Sequence, residues 1–233
     1  MSANKPLICL NMIVKNESKI IQRLLSSVLP FIDTYCICDT GSTDNTKELI
    51  REFFHTKQID GKIVEEPFVN FEHNRTFALK ACQGMSEFVL LLDADMVLEY
   101  PGGDDAIKKL RSKLPTVDMC HLFQGTANFY YKNVRIVRND GQYSYWGVTH
   151  EVINSPPGAK VYLVPREEIF IHDIGDGGAK DDKYLRDIRL LTEGLKKEPN
   201  NDRYLFYLGN SYHDCGQFEN AIETYKRLSL IHI

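Results

Sequence analysis

Three features of the sequence predict an α/β domain with a mostly parallel central sheet and a small antiparallel part, followed by a short helical segment. Through the first half of the chain, short β-rich apolar runs alternate with helical periodicities, the pattern of successive βαβ units. After Asp118 the β-rich runs follow one another too closely for crossovers, which implies antiparallel hairpins. From Lys183 onward only helical periodicity remains. The expected division is a domain over 1–178 and a helical region over 179–233.

Leu7 to Val14 reads as the first strand, and Lys19 to Val28 as a helix with Ile20, Leu24, Leu25 and Val28 on one face, ended by Pro30. Thr34 to Cys38 is the second strand. Thr40-Gly41-Ser42 forms a turn, and Asn45 with Glu48 has the spacing of a capping box opening a helix to Phe54. Lys62 to Glu65 is a short third strand, Asn74 to Cys82 a helix, and Glu87 to Leu92 a fourth strand. That last run is uniformly apolar until Asp93, so it belongs in the middle of the sheet, buried on both faces. After Pro101-Gly102-Gly103 a helix runs to Leu114. Met119 to Phe123, Asn128 to Tyr131 and Val134 to Val137 are then three hairpin strands, and Asn139 to Pro157 is loop-rich. In the tail, Tyr184, Ile188, Leu191 and Leu195 share a helix face. Pro199-Asn200-Asn201 breaks that helix, a second runs from about Arg203 to Cys215, and a third starts near Phe218.

Composition narrows the function. The chain has 233 residues, 43% of them hydrophobic and 26% charged, which suits a folded domain with a sizeable core. A net charge of -4 offers no basic field for nucleic acid, and small ligands fit better. The six cysteines, at 9, 36, 38, 82, 120 and 215, lack zinc-site spacing or disulfide-scaffold density and read as buried, reduced thiols. The opening residues lack a signal-peptide core, and no apolar run is long enough to span a bilayer. The expectation is a cytoplasmic protein with no integral membrane segment.

In an open parallel sheet, ligands bind beyond the carboxyl ends of the strands. That rule selects Asn16 and Glu17 after strand one, Asp39 after strand two, and Asp93 with Asp95 after strand four. Asp93-Ala94-Asp95, a D-x-D motif, presents hard oxygen ligands suited to Mn²⁺ or Mg²⁺ shared with a phosphate. His172 ends the strand-like Glu168 to Ile171, just before the flexible Gly175-Asp176-Gly177-Gly178, and can complete the metal site from the far side.

The runs NMIVKNE, CDTGSTDNT, the Asn74-Arg75 pair and LLLDADM, in this order, resemble the family 2 glycosyltransferases of the Rossmann-like GT-A fold. Tyr145-Trp146-Gly147-Val148-Thr149-His150-Glu151, then Ile171-His172-Asp173, then helices with Leu208, Gly209, Tyr212, Gly216, Ala221 and Tyr225 resemble the subgroup that carries tetratricopeptide repeats behind the transferase domain. The resemblance implies that Asp39 recognises the donor's base, with uracil expected, beside backbone groups of Met12 and Val14. It places Arg75 near the base or diphosphate, Asp93 at the ribose or the metal's shell, Asp95 directly on the metal, and His150-Glu151 near the acceptor. Bland roles stay open for several: an Asx turn for Asp39, a surface ion pair for Arg75, packing rather than a sugar platform for Trp146.

The activity so implied is inverting transfer of a hexose from a nucleotide-diphosphate sugar, with UDP-glucose or UDP-N-acetylglucosamine as donors. The acceptor is a glycan, a lipid-linked sugar or a protein. Inversion needs a base opposite the leaving group, for which Glu151 is the candidate, with Asp173 and Asp140 as alternatives. Two other readings compete. A sugar nucleotidyltransferase would need a glycine-rich phosphate loop, which NMIVKN lacks. A catalytically inactive scaffold would use the helical tail for a protein partner or self-association.

Overall fold

The structure, a computed structural model, describes residues 5–177 and 183–231. The expected boundary at 178/179 and Gly178 lie outside these residues. The parallel part is built from β1 (Ile8–Val14), α1 (Ile21–Val28), β2 (Thr34–Asp39), α2 (Thr46–Thr56), β3 (Gly61–Glu65), α3 (Phe71–Ala81) and β4 (Phe88–Leu91). Then come β5 (Met96–Glu99), α4 (Gly103–Lys113), β6 (Met119–Gly125), β7 (Tyr130–Arg138), and the short β8 (Ser144–Trp146), β9 (Val152–Asn154) and β10 (Val161–Leu163). β11 (Phe170–Asp173) closes the sheet, and α5 (Lys183–Lys197), α6 (Asp202–Asp214) and α7 (Phe218–Ile231) form the tail.

The sheet runs β3-β2-β1-β4-β7-β6-β11-β5, with β10 added beside β6. β3, β2, β1 and β4 are mutually parallel, while β7 is antiparallel to both β4 and β6. Side chains alternate across the central strands because successive residues point to opposite faces. Ile8, Leu10, Met12 and Val14 of β1 join Phe88 and Leu90 of β4 beneath α1 and α2. On the other face Cys9, Val89 and Leu91 pack with Leu79 of α3 and Tyr143. Asn11 is the one polar residue of β1. It is buried there because its side-chain amide donates to Cys36 O and Ala78 O, both at 2.9 Å, tying β1 to β2 and α3. All six cysteines are free, five of them buried.

Several expectations are corrected. The Asn45–Glu48 box does not cap α2: Asn45 makes no side-chain cap bond, and Asp44 instead accepts from Thr46 N at 3.1 Å. α3 starts earlier than expected, at Phe71, because Asn70 caps it by accepting from His73 N at 2.8 Å. The two strands expected over 128–137 are one continuous strand, β7. β5 and β10 were not anticipated, since each is only a few residues long and flanked by turn residues. The stretch expected to be loop also contains a hairpin, β8-β9, which packs against α3 through Tyr145 and Ile153.

In the tail, Leu191, Leu195, Tyr204, Leu205 and Leu208 form a core of their own, and Val148 of the turn after β8 packs against it. α6 and α7 lie close because Gly209 has no side chain; a Cβ there would meet the Tyr225 ring at 2.4 Å. The outer side of α7 exposes Phe218, Ile222 and Leu230. No helix among the described residues is long and apolar enough to cross a membrane.

Candidate active site

A cavity of about 630 Å³ opens at the carboxyl ends of β1 and β4, where a parallel sheet leaves room between its connecting loops. Its wall includes Val14, Thr40, Arg75, Asp93, Asp95, Glu151 and Asp173. A smaller cleft of about 360 Å³ lies within the tail, where no comparable set of acids converges.

Arg75, on α3, is the joint of the site. Its Nη2 donates to Asp93 Oδ1 at 2.5 Å, and its Nε lies 2.6 Å from Glu151 Oε1, a charge contact rather than an aligned hydrogen bond. Its guanidinium also sits 5.7 Å from the centre of the Tyr145 ring. Burial alone would lower its pKa, but the charges of Asp93 and Glu151 outweigh that and hold it above its ordinary value. Asp93 faces a second cation, with Arg135 Nη1 3.8 Å from its Oδ2. Burial works against ionisation of Asp93, and the two arginines reverse the balance, pulling its pKa below the usual carboxylate range. Arg135 is itself held by Gln124 Oε1 at 2.6 Å and Leu91 O at 3.2 Å, and Gln124 donates to the Tyr131 hydroxyl at 2.7 Å.

Asp95 is in the opposite situation. Burial raises its pKa, and the like charges of Asp93 and Asp173 raise it further, outweighing the backbone N–H groups of Asp95 and Gly177, which lower it. A carboxylate disfavoured by burial and by neighbouring acids is stabilised by a cation. Mn²⁺ or Mg²⁺, with hard oxygen ligands and open positions for a phosphate, therefore fits here. Among the described residues no three His, Cys, Asp or Glu cluster so as to hold a metal unaided. The donor set fits an ion shared with a ligand.

Asp39 is buried, 1% exposed, and its Oδ1 accepts from Gly41 N and Ser42 N at 3.0 and 2.9 Å. The Asx-type turn considered for it is therefore present. Its Oδ2 is buried with no hydrogen-bond partner, which leaves one acceptor for a ligand donor. Around it the loops after β1 and β2 are stitched together: Asn16 N donates to Ser42 Oγ and Glu17 N to Thr46 Oγ1.

The structure does not bring every expected residue to the cavity. Met12 points into the core, so only its backbone can serve a ligand, whereas Val14 lines the wall. His172 is not among the residues that line the cavity. Its Nδ1 lies 3.3 Å from Glu99 Oε1, while its neighbour Asp173 takes the cavity-facing position. Trp146 stacks on Tyr204 of α6, with ring centroids 5.8 Å apart, and does not line the cavity. Asp140 follows β7 at the amino end of β4, where Asn139 N bonds Glu87 O, on the sheet edge opposite Asp93; it cannot act as the base there. His150 does line the cavity, and its ring stacks on Tyr207 at 3.8 Å.

Sequence reasoning missed Arg135, Gln124 and Asp187. Arg135 interrupts the apolar run Val134 to Val137, and Asp187 falls on the apolar stripe of α5, three residues after Tyr184 and four before Leu191. A charge on a stripe meant for the core was the available signal.

Acids and arginines thus converge in a cavity at the mouth of this curled, mostly parallel sheet. Residues 9–113 match the family model of glycosyl transferase family 2. The chain is 26% identical over 97% of its length to the SPbeta prophage-derived glycosyltransferase SunS of Bacillus subtilis (strain 168), of which it covers 54%. It thus spans about half the length of the curated relatives it matches. Among solved structures, TarS 1-349 of S. aureus in complex with UDP-GlcNAc has the same fold, at 15% identity and a TM-score of 0.54, over 89% of this chain and 73% of that one. So does the mannosyltransferase PcManGT of Pyrobaculum calidifontis in complex with GDP-Man and Mn²⁺, at 13% identity and 0.52, over 99% and 82%. These matches support a glycosyltransferase.

Proposed function

We propose that the chain is a metal-dependent, inverting hexosyltransferase of the GT-A type that takes a nucleotide-diphosphate sugar, UDP-sugar first, and acts in the cytoplasm. The observation that carries this reading is the pairing of an arginine-neutralised Asp93 with a cation-seeking Asp95 in one cavity, next to Asp39 with its unsatisfied Oδ2. A UDP donor agrees with the UDP-GlcNAc bound by TarS; the GDP-Man of PcManGT makes GDP-sugars the comparison.

In this reading Asp39 Oδ2 accepts the N–H of the base, which a uracil ring supplies. Asp95 holds the metal, with Asp173 beside it, and Asp93 serves the ribose side while Arg75 and Arg135 fix its carboxylate. A bound divalent cation would neutralise the diphosphate leaving group, so no proton need be delivered there. Glu151 accepts the proton of the acceptor's hydroxyl or other nucleophile, its carboxylate held in place by Arg75. Asp173 is the second candidate base. We read α6 and α7 as one tetratricopeptide-like repeat; a partner or a second copy would meet the exposed side of α7. The acceptor is a glycan, lipid-linked sugar or protein.

The test is thermal unfolding with UDP or GDP, with and without Mn²⁺, joined to release of sugar from a panel of nucleotide sugars. A ligand at a hundred times its Kd stabilises by about 2.7 kcal/mol, a readily measured rise in Tm. No shift with any combination rejects the transferase reading in favour of an inactive scaffold. Glu151→Gln should keep the nucleotide-induced shift and lose most turnover; normal turnover in that variant removes Glu151 from the role of base.

A further inference from the structure

The tail, which the sequence suggested as a surface for partners, turns its inner face toward the cavity. Lys183, Arg186 and Asp187 of α5 all line it. Asp187 is 2% exposed, and its carboxylate gathers groups from both sides of the junction. Thr149 Oγ1 donates to its Oδ1 at 3.1 Å, Arg186 Nε lies 3.6 Å from the same oxygen, and His150 Nε2 lies 4.0 Å from Oδ2.

What Asp187 holds is a turn under strain. His150 has φ 49°, the left-handed region, which a residue with a side chain adopts at a cost and keeps only where its surroundings fix it. Gly147 before it has φ 109°. The fixing contacts come from two directions. Gly147 N donates to Glu72 Oε2 at 2.9 Å from the α3 side, and from the tail the Tyr204 hydroxyl accepts from Val148 N at 3.3 Å. Arg203 Nη2 donates to His150 O at 2.6 Å. The next residue along the chain is Glu151, whose carboxylate meets Arg75.

We propose that Asp187 is a positioning residue of the transfer reaction: by holding Thr149 and His150 it fixes the turn that presents Glu151 to Arg75 and to the acceptor, so the tail completes the catalytic centre. This rests on the transferase reading above. Asp187 touches no reacting atom in this scheme and acts through the turn alone.

The experiment uses the full chain with UDP, Mn²⁺ and the best donor from the hydrolysis panel. Trp146, the only tryptophan, stacks on Tyr204 of α6, so its emission reports whether the tail is docked. Asp187→Asn keeps an acceptor for Thr149 but removes the charge. We expect it to leave Trp146 emission and UDP binding as in the wild type, to keep the donor KM within about twofold, and to lower kcat by about tenfold or more, the scale of effect a misplaced catalytic group produces. Thr149→Val removes the same contact from the transferase side and should show the same split, which covers the case of an Asp187 variant that fails to fold. Hydrolysis within about twofold of wild type in either folded variant overturns the proposal. A lost kcat accompanied by a red-shifted Trp146 emission also overturns it, because the residue then merely holds the tail in place. A wild-type chain that neither binds nucleotide nor releases sugar rejects the transferase reading first, and this inference with it.

Discussion

The two walls of the cavity are built differently. On the side proposed for the nucleotide, Val14 and Asp93 in the wall and Asp39 behind Thr40 each sit where a buried parallel strand ends or has just ended, and their positions follow from the packing of strands that bury both faces. On the side proposed for the acceptor, Thr149, His150 and Glu151 belong to a turn after a three-residue strand, held by Glu72 of α3 and by Asp187, Arg203 and Tyr204 of the tail. The first wall gets its order from the core of its own domain, the second from polar and aromatic contacts between segments far apart in sequence. A scaffold of the first kind tolerates change in loops, whereas one of the second kind depends on each contact.

Arg75 joins the walls, so its removal is expected to have the largest effect. Arg75→Ala leaves Asp93 and Glu151 partly buried without their common cation, and breaking a buried ion pair from one side costs about 3–5 kcal/mol. Urea unfolding would measure the loss, and UDP binding should go with it. Arg75→Lys should not restore either property, since a single ammonium cannot reach two carboxylates in the fork geometry of a guanidinium. A loss below about 1 kcal/mol, the range of exposed pairs, would show that the two walls stand independently.

A smaller and more local effect should come from Gly194→Ala on α5. A Cβ there would lie 2.9 Å from the Tyr204 ring and 3.3 Å from Val148 Cγ2, two of the groups through which the tail meets the turn. Overpacking of this kind costs roughly 1–3 kcal/mol. Because the strain falls on the acceptor wall alone, Trp146 emission should shift while the UDP-induced rise in Tm is retained. Loss of UDP binding together with the emission shift would contradict the separation of the walls.

The same contrast explains what could be read from the sequence. The parallel half was legible because β1, β2 and β4 are apolar runs whose burial on both faces leaves a clear signature, and because the polar residues that follow them stand out at once. Asp93, Asp95, Arg75 and Glu151 were all singled out, and the structure places them around one cavity. The second wall was not legible in the same way. The β8-β9 hairpin is two strands of three residues, too short for a period-2 pattern to declare itself. His172 and Asp173 differ by one residue, and only the register of β11 against β5 decides which of them faces the cavity. Trp146 was open between platform and packing, and Tyr204, 58 residues away, decides for packing. No local pattern reports such pairs.

The smallest effect should come from Asp44, which stitches the loops of the nucleotide wall without touching the cavity. Its Oδ2 accepts from Ser18 N at 3.1 Å, and its Oδ1 accepts from Thr46 N at 3.1 Å and Thr46 Oγ1 at 2.5 Å. Burial works against its ionisation, and the hydrogen bonds from Ser18 and Thr46 outweigh that, bringing its pKa from the ordinary 3.8 down to about 2. A carboxyl whose folded pKa is depressed stabilises the fold above its unfolded pKa, and that contribution fades as the pH falls through the folded value. The stability gap between the wild type and Asp44→Asn should therefore be constant at neutral pH and close between about pH 4 and 2. Urea midpoints of both proteins across that range measure it. A gap that instead widens on acidification would mean that the Asp44 carboxylate is not favoured in the folded loop, and that the loops of the nucleotide wall are ordered by the strands beneath them alone.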